Sequence, residues 1–123
     1  MDLSDFNAKQ REALLDLLVL ASYLDRRLGI LEDERVKRLL LAMGHEHAYD
    51  RQRLYQDSIT RMRLCAETTE LAHARATRLA KVFTTQAQCR QVCALLEELV
   101  SCDGQVTDAE QQFLDLLRDT FQI

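Results

Sequence analysis

The residues best suited to chemistry form an acidic turn near the C-terminus. Residues 103–110 read DGQVTDAE and match the second half of an EF-hand calcium loop, with a carboxylate at Asp103, a glycine for the sharp turn and a closing Glu110. The first half fails, because Leu99 and Ser101 stand where the first and third ligands belong. Two interpretations stay open: a capped helix turn with solvated carboxylates, or a weak cation site completed by a second acidic turn.

Histidines and cysteines are the other candidate metal ligands. His45 and His47 are the one dense histidine pair, but side chains two positions apart diverge on a helix, whereas zinc ligands on a helix favour positions i and i+4. The four cysteines lack the Cys-x-x-Cys spacing of common zinc sites, and we expect buried thiols. They are Cys65, Cys89, Cys93 and Cys102.

Motifs for catalysis are missing from the sequence. It contains no glycine-rich phosphate loop, no nucleophile elbow and no His-Glu-x-x-His pattern. We therefore expect a protein that is not an enzyme. The alternative is a metal-dependent enzyme or a metal-buffering protein that uses His45, His47 and the thiols.

Composition predicts an all-α fold in a single domain, residues 1–123. Hydrophobic residues make up 47% of the chain, and there are three glycines and no proline, too few turn residues for a β-rich domain. The formal net charge of -4 argues against a nucleic-acid surface, and the arginines of 51–63 are interrupted by Asp50 and Asp57. Without an apolar run of 18 residues or a signal-like N-terminus, we expect a cytoplasmic protein.

Apolar periodicity predicts a compact bundle of six or seven helices. The first runs from about Ser4 to Asp25 with Ser4 or Asp5 as its cap, and the second ends at Gly44. Residues 45–69 form either one bent helix or two short ones. Another helix covers 70–83, with Leu71, Ala74, Leu79 and Val82 facing inward. Thr85 and Gln88 have capping-box spacing before a helical hairpin.

That hairpin, residues 93–121, is the element around which we expect the rest to be organised. Thr107 and Glu110 have the spacing of a capping box, so Thr107 should begin its second helix. Val106 is apolar enough to turn inward and hold the connection. The predicted core comprises Leu14, Leu18, Leu40, Leu96, Leu99, Val106, Phe113, Leu114 and Leu117.

An internal sequence repeat places a second acidic turn near the N-terminus. We call each acidic turn between two helices an acidic elbow. When Asp25 is aligned with Asp103, Glu32 falls on Glu110. Two helical hairpins of one design, each with an acidic elbow, would form the bundle.

The two repeated segments resemble the TerB-like (tellurite-resistance) family. A domain of this family also forms the N-terminal part of some membrane-anchored J-domain co-chaperones. The C-terminal segment reads LVSCDGQVTDAEQQFLDLL; the N-terminal one, LVLASYLDRRLGILEDERVKRLL, lacks the Asp-Gly dipeptide. The resemblance implies a non-catalytic interaction or adaptor module of stress response.

The same resemblance implies ligands and partners. It suggests a weakly bound divalent cation, calcium or magnesium, held by Asp103, Glu110, Asp25 and Glu32. It implies an unidentified protein partner and association with membrane complexes without insertion, while the net charge argues against nucleic acid as a partner. Homo-oligomerisation is left open.

Overall fold

The computed structural model describes residues 3–24, 30–101 and 106–123, although the side chains of 24 and 30–33 lie outside the described set. The all-α prediction is confirmed, since these ranges hold six helices and no strand. For residues 45–69 the sequence allowed one bent helix or two short ones, and the structure has one helix within this stretch. The helices are α1 (Ala8–Leu24), α2 (Ile30–Ala42), α3 (Ala48–Arg63), α4 (Thr69–Ala80), α5 (Gln86–Val100) and α6 (Asp108–Phe121).

Helix α1 lies at the centre of the molecule. Every residue from 13 to 22 is buried, and the helix contacts all five of the others. A helix that is apolar around most of its circumference cannot lie at a surface, and the run ALLDLLVLAS has that character. The prediction that the hairpin 93–121 organises the fold is therefore corrected: α5 and α6 pack on each other and on α1.

Helix α1 begins later than predicted. Its start is capped by Asn7, whose Oδ1 accepts a hydrogen bond from Gln10 N at 2.8 Å, while Asn7 N donates to Gln10 Oε1 at 3.0 Å. This reciprocal pair satisfies two of the amide groups that a helix start leaves without partners. Ser4 and Asp5, the predicted caps, lie outside the helix.

The buried face of α4 matches the prediction only in part. Of the four residues predicted to face inward, Leu79 and Val82 are partly buried against the core, whereas Leu71 is 49% exposed and Ala74 is also exposed. The fully buried residues are Ala72, Ala76 and Ala80. The three alanines lie at i, i+4 and i+8 and therefore share one face of the helix. Because α4 packs against both α1 and α6, this face of small side chains is the one that permits close approach.

Val106 also departs from the prediction, since it is 42% exposed. The other eight predicted core residues are buried. A residue just before a helix cap is usually drawn inward by an apolar residue at the fourth helical position. In α6 that position is Gln111, which is exposed, so Val106 has no apolar partner there.

Gly44 terminates α2 as predicted: it follows the last helical turn and has φ +96°. His45 N donates to Leu40 O at 3.0 Å and Gly44 N to Leu41 O at 3.0 Å, the two bonds of a Schellman motif. A glycine suits this left-handed position because it has no Cβ to clash with its own backbone. The motif turns the chain into the short loop that leads to α3.

Helix α5 begins at the predicted cap. Thr85 Oγ1 accepts from Gln88 N at 3.1 Å, but Gln88 Oε1 accepts from Thr84 N, one residue earlier than a capping box requires. The Gln88 amide also donates to Asp5 O at 2.9 Å, and this bond ties the N-terminal segment to the start of α5.

None of the helices in the described ranges combines the length and apolar character needed to cross a lipid bilayer.

Candidate functional site

The start of α6 has the predicted capping box. Thr107 Oγ1 accepts from Glu110 N at 3.2 Å, and Glu110 Oε1 accepts from Thr107 N at 3.1 Å. The side chain of Glu110 is completely buried. This carboxylate therefore has a structural role at the helix start, and its other oxygen faces into the protein.

That other oxygen contacts an arginine from a distant part of the chain. Arg35 Nη1 lies 3.4 Å from Glu110 Oε2, and the side chains are 1% and 0% exposed. We call Arg35 and Glu110 the α2–α6 pair. Glu110 of the predicted C-terminal elbow is thus in contact with an arginine of α2, and a fully buried guanidinium supplies the positive charge beside it.

The structure describes the side chain of one of the four predicted elbow carboxylates, that of Glu110. Asp25 and Asp103 lie outside the described residues, as does the side chain of Glu32. Glu110 fits a divalent cation poorly, because one carboxylate oxygen accepts a hydrogen bond from Thr107 and the other pairs with Arg35. A cation could use Glu110 only by displacing one of them, so the four-carboxylate cation site stays a prediction.

The histidines and thiols lie on different elements. His45 is in the loop between α2 and α3, and His47 is the exposed N-cap residue of α3, without a side-chain capping bond. Cys65, Cys89 and Cys93 are free thiols, and Cys102 lies outside the described residues. Within the described ranges, no group of three or more His, Cys, Asp or Glu residues could hold a metal ion.

Burial raises the pKa of two of the thiols. It raises the pKa of Cys93 to about 11 and also raises the pKa of Cys89. A thiol with a raised pKa has little of the thiolate form that attacks electrophiles or binds metals. The prediction of buried thiols is confirmed for these two, whereas Cys65 is half-buried.

A second buried polar contact joins α1 to α3. Asp16 Oδ1 accepts from the Ser58 hydroxyl at 2.6 Å and from Arg61 Nη2 at 2.8 Å, and Asp16 Oδ2 accepts from Arg61 Nε at 3.2 Å. The hydrogen bond with Asp16 raises the pKa of Arg61, although partial burial opposes this. We call Asp16, Ser58 and Arg61 the α1–α3 junction. It holds α3 in place, since Ser58 and Met62 are the buried residues of that helix.

The sequence prediction did not include either contact, although each had a signal. Asp16 interrupts a long apolar run, and Arg35 shares the buried face of α2 with Leu39, four residues on. A charged residue at a buried position is rarely tolerated without a partner. Such positions therefore predict a partner, but they do not say which residue it is.

A groove separates α2 from the N-terminal half of α3. Its volume is about 320 Å³, and we call it the α2–α3 groove. Apolar side chains from both helices line it, with lysine, arginine and glutamine beside them. The lining residues are Val36, Lys37, Leu40, Ala48, Arg51, Gln52, Tyr55 and Gln56.

The outer face of α3 extends this surface. Tyr49, Arg53, Gln52 and Gln56 line a shallow depression there, and Tyr49 is 76% exposed. Within the described ranges, the residues that line the groove and this depression include three cations and no acid.

The opposite flank of α3 carries a second groove of about 340 Å³. Charges of both signs line it, with Arg11 and Arg61 set against Glu12 and Asp57. The two flanks of α3 therefore differ in charge, and the α2–α3 groove is the one with a single sign.

Comparison of the chain with protein families, curated proteins and solved structures finds no match. The site is therefore defined by its own geometry: a basic, partly apolar groove beside α3, and a buried ion pair where α2 and α6 meet.

Proposed function

We propose that this protein is a non-catalytic helical interaction module of the TerB-like kind, which binds a protein partner through the α2–α3 groove. In this proposal α1 with α2 and α5 with α6 are the two hairpins, and each pair of helices is in contact. The module would act in the cytoplasm as an adaptor in a stress-response or membrane-associated complex.

The observation that carries the proposal is the composition of the α2–α3 groove. Ala48 and Tyr55 provide apolar and aromatic surface, and Arg51 provides a cation beside them. Tyrosine and arginine are enriched among the residues that dominate protein–protein binding energy. A concave surface between two helices is also a common receptor for a third helix.

Arg51 is held in place for such a role. Its Nη1 donates to the carbonyl oxygens of His45 at 3.2 Å and Glu46 at 2.6 Å. A side chain that is already ordered loses less conformational entropy when a partner binds. The guanidinium is therefore presented in a fixed position on the wall of the groove.

The alternative, a metal-dependent enzyme or metal buffer using His45, His47 and the thiols, has no comparable support. Cys89 and Cys93 are buried in α5, whereas His47 is exposed at the start of α3. Nothing in the described geometry favours this function over the interaction module.

Site-specific photocrosslinking in the cells that naturally make the protein tests the proposal. A photoreactive phenylalanine analogue replaces Gln52, which is exposed and lines the groove, or Arg90, which is exposed on α5. We expect a discrete crosslinked protein from position 52 that position 90 does not yield. Equal products at both positions, or none at position 52, would reject the groove as the contact surface.

A further inference from the structure

On the basis of the proposed function, we infer that the partner segment bound by the α2–α3 groove is an amphipathic helix with acidic flanks. The charge of the surface gives the first argument. Lys37 and Arg51 line the groove and Arg53 adjoins it, and none of its described lining residues is acidic. The chain as a whole has a formal net charge of -4, so this surface is opposite in sign to the rest. Such a surface favours an anionic partner and disfavours a cationic one.

The apolar part of the groove selects the kind of anionic partner. Ala48 and Tyr55 lie two turns apart on α3, and the adjoining Tyr49 is 76% exposed. Val36 and Leu40 on α2 are only 3% and 1% exposed, so they close the floor of the groove and offer little surface. The accessible apolar side chains therefore lie along the α3 wall, and a partner helix can set its own apolar residues against them. The partner therefore needs apolar residues at helical spacing with carboxylates on either side.

Nucleic acid and membrane are weaker fits to the same surface. Nucleic-acid binding draws its affinity from many phosphate contacts, and anionic membranes are bound by clusters of about four to eight basic residues. This surface has three cations beside the apolar and aromatic side chains of α3. Phosphates would gain nothing from Ala48 or Tyr55, whereas leucine side chains of a peptide helix would be removed from water there.

The probe is a synthetic helical peptide of about 18 residues, long enough to hold helical structure in water. It has leucines at positions i, i+3, i+4 and i+7 with glutamates beside them, and a matched peptide has lysines in place of the glutamates. Binding to the full chain is measured by fluorescence anisotropy at low and high salt. We expect the acidic peptide to bind and the basic peptide not to, with affinity falling as salt rises.

Two charge reversals locate the site. Lys37→Glu changes the groove wall, and Lys9→Glu makes the same change at an exposed position of α1 outside the groove. We expect Lys37→Glu to weaken binding of the acidic peptide about tenfold and Lys9→Glu to leave it within about twofold, since one tenfold step is about 1.4 kcal/mol. Thermal unfolding of both variants controls for folding. Equal effects of the two substitutions, or equal binding of the two peptides, would overturn the inference.

Four further outcomes separate the alternatives. Tighter binding of single-stranded RNA or of anionic lipid vesicles than of the acidic peptide, lost in Lys37→Glu, would replace the acidic helix with that ligand. Concentration-dependent dimerisation abolished by Lys37→Glu would identify a second copy of the chain as the occupant. A crosslink at position 52 together with no peptide binding would reject the acidic helix and leave the interaction module intact, whereas failure of both experiments would reject both.

Discussion

Arg35 and Arg61 each place a guanidinium against a carboxylate from another helix, yet their surroundings differ. In the α1–α3 junction, the Arg61 side chain is 36% exposed and meets Asp16 through two bonds, with Ser58 adding a third at 2.6 Å. In the α2–α6 pair, both side chains are removed from water and the Nη1–Oε2 distance is 3.4 Å. The first contact keeps one partner hydrated, while the second desolvates both charges.

This difference has consequences for stability. Removing a charge from water costs several kcal/mol, and only a partner nearby offsets that cost. If Asp16 is altered, Arg61 can turn toward solvent and recover its hydration. If Arg35 is removed, Glu110 is left as a buried carboxylate that cannot reach water. We therefore expect the α2–α6 pair to be the more sensitive of the two to loss of one member.

The largest effect is expected from Arg35→Met. This change leaves the Glu110 carboxylate buried without the guanidinium and should lower the free energy of unfolding by about 3–5 kcal/mol. Urea unfolding followed by circular dichroism measures it. The double variant Arg35→Met with Glu110→Gln should recover much of the loss, because glutamine is neutral and can still accept the capping bond from Thr107 N. A loss below about 1 kcal/mol in the single variant would contradict the expectation that the α2–α6 pair is the more sensitive of the two contacts.

A smaller loss is expected from Asp16→Asn in the α1–α3 junction. Asparagine can still accept from the Ser58 hydroxyl, but the charge-assisted bonds to Arg61 are weakened, which should cost about 1.5–3 kcal/mol in the same urea assay. Glu12→Gln is the matched control. Glu12 is 61% exposed and lies 3.8 Å from Arg61, so its loss should cost less than about 0.5 kcal/mol. A larger effect from Glu12 than from Asp16 would show that Glu12 is the main carboxylate partner of Arg61.

The cap of α6 gives a third, smaller effect. Thr107→Ala removes the hydroxyl that accepts from Glu110 N and should cost about 1 kcal/mol. Asp108→Asn changes only the interaction of a charge with the helix dipole and should cost a few tenths of a kcal/mol. Urea melts in which the two variants were equal, or Asp108 dominant, would reject Thr107 as the main cap.

The smallest effect is expected from divalent cations. Because Arg35 already provides the positive charge beside Glu110, a cation at the predicted elbows would be held without Glu110, and millimolar calcium or magnesium should change the melting temperature of the unaltered protein little. A ligand at a hundred times its dissociation constant would stabilise by about 2.7 kcal/mol, which a thermal melt detects easily. A gain that is specific to one ion and is lost in Asp103→Asn would instead establish the acidic elbow as a cation site.

Local sequence patterns predicted the helices and several of their ends. The capping box of Thr107 and Glu110, the cap Thr85 and the helix stop at Gly44 were all predictable, because the partners lie within a few residues of one another. The cap of α1 was misassigned although Asn7 and Gln10 have the same three-residue spacing. Ser4 and Asp5 are also residue types that cap helices, but neither is followed three residues on by Glu or Gln, so the local pattern favoured Asn7 and was overlooked.

The sequence by itself determined that the chain is helical, because few turn residues and apolar periodicity leave no other way to bury its leucines. Tertiary structure decided which faces and which charges are buried. The alanine face of α4 is buried because two helices approach it closely, and the exposure of Leu71 and Val106 follows from what does not pack against them. Arg35 and Glu110 are 75 positions apart, so only the fold could bring them together. Helix formation depends on neighbours in sequence, whereas desolvation depends on neighbours in space.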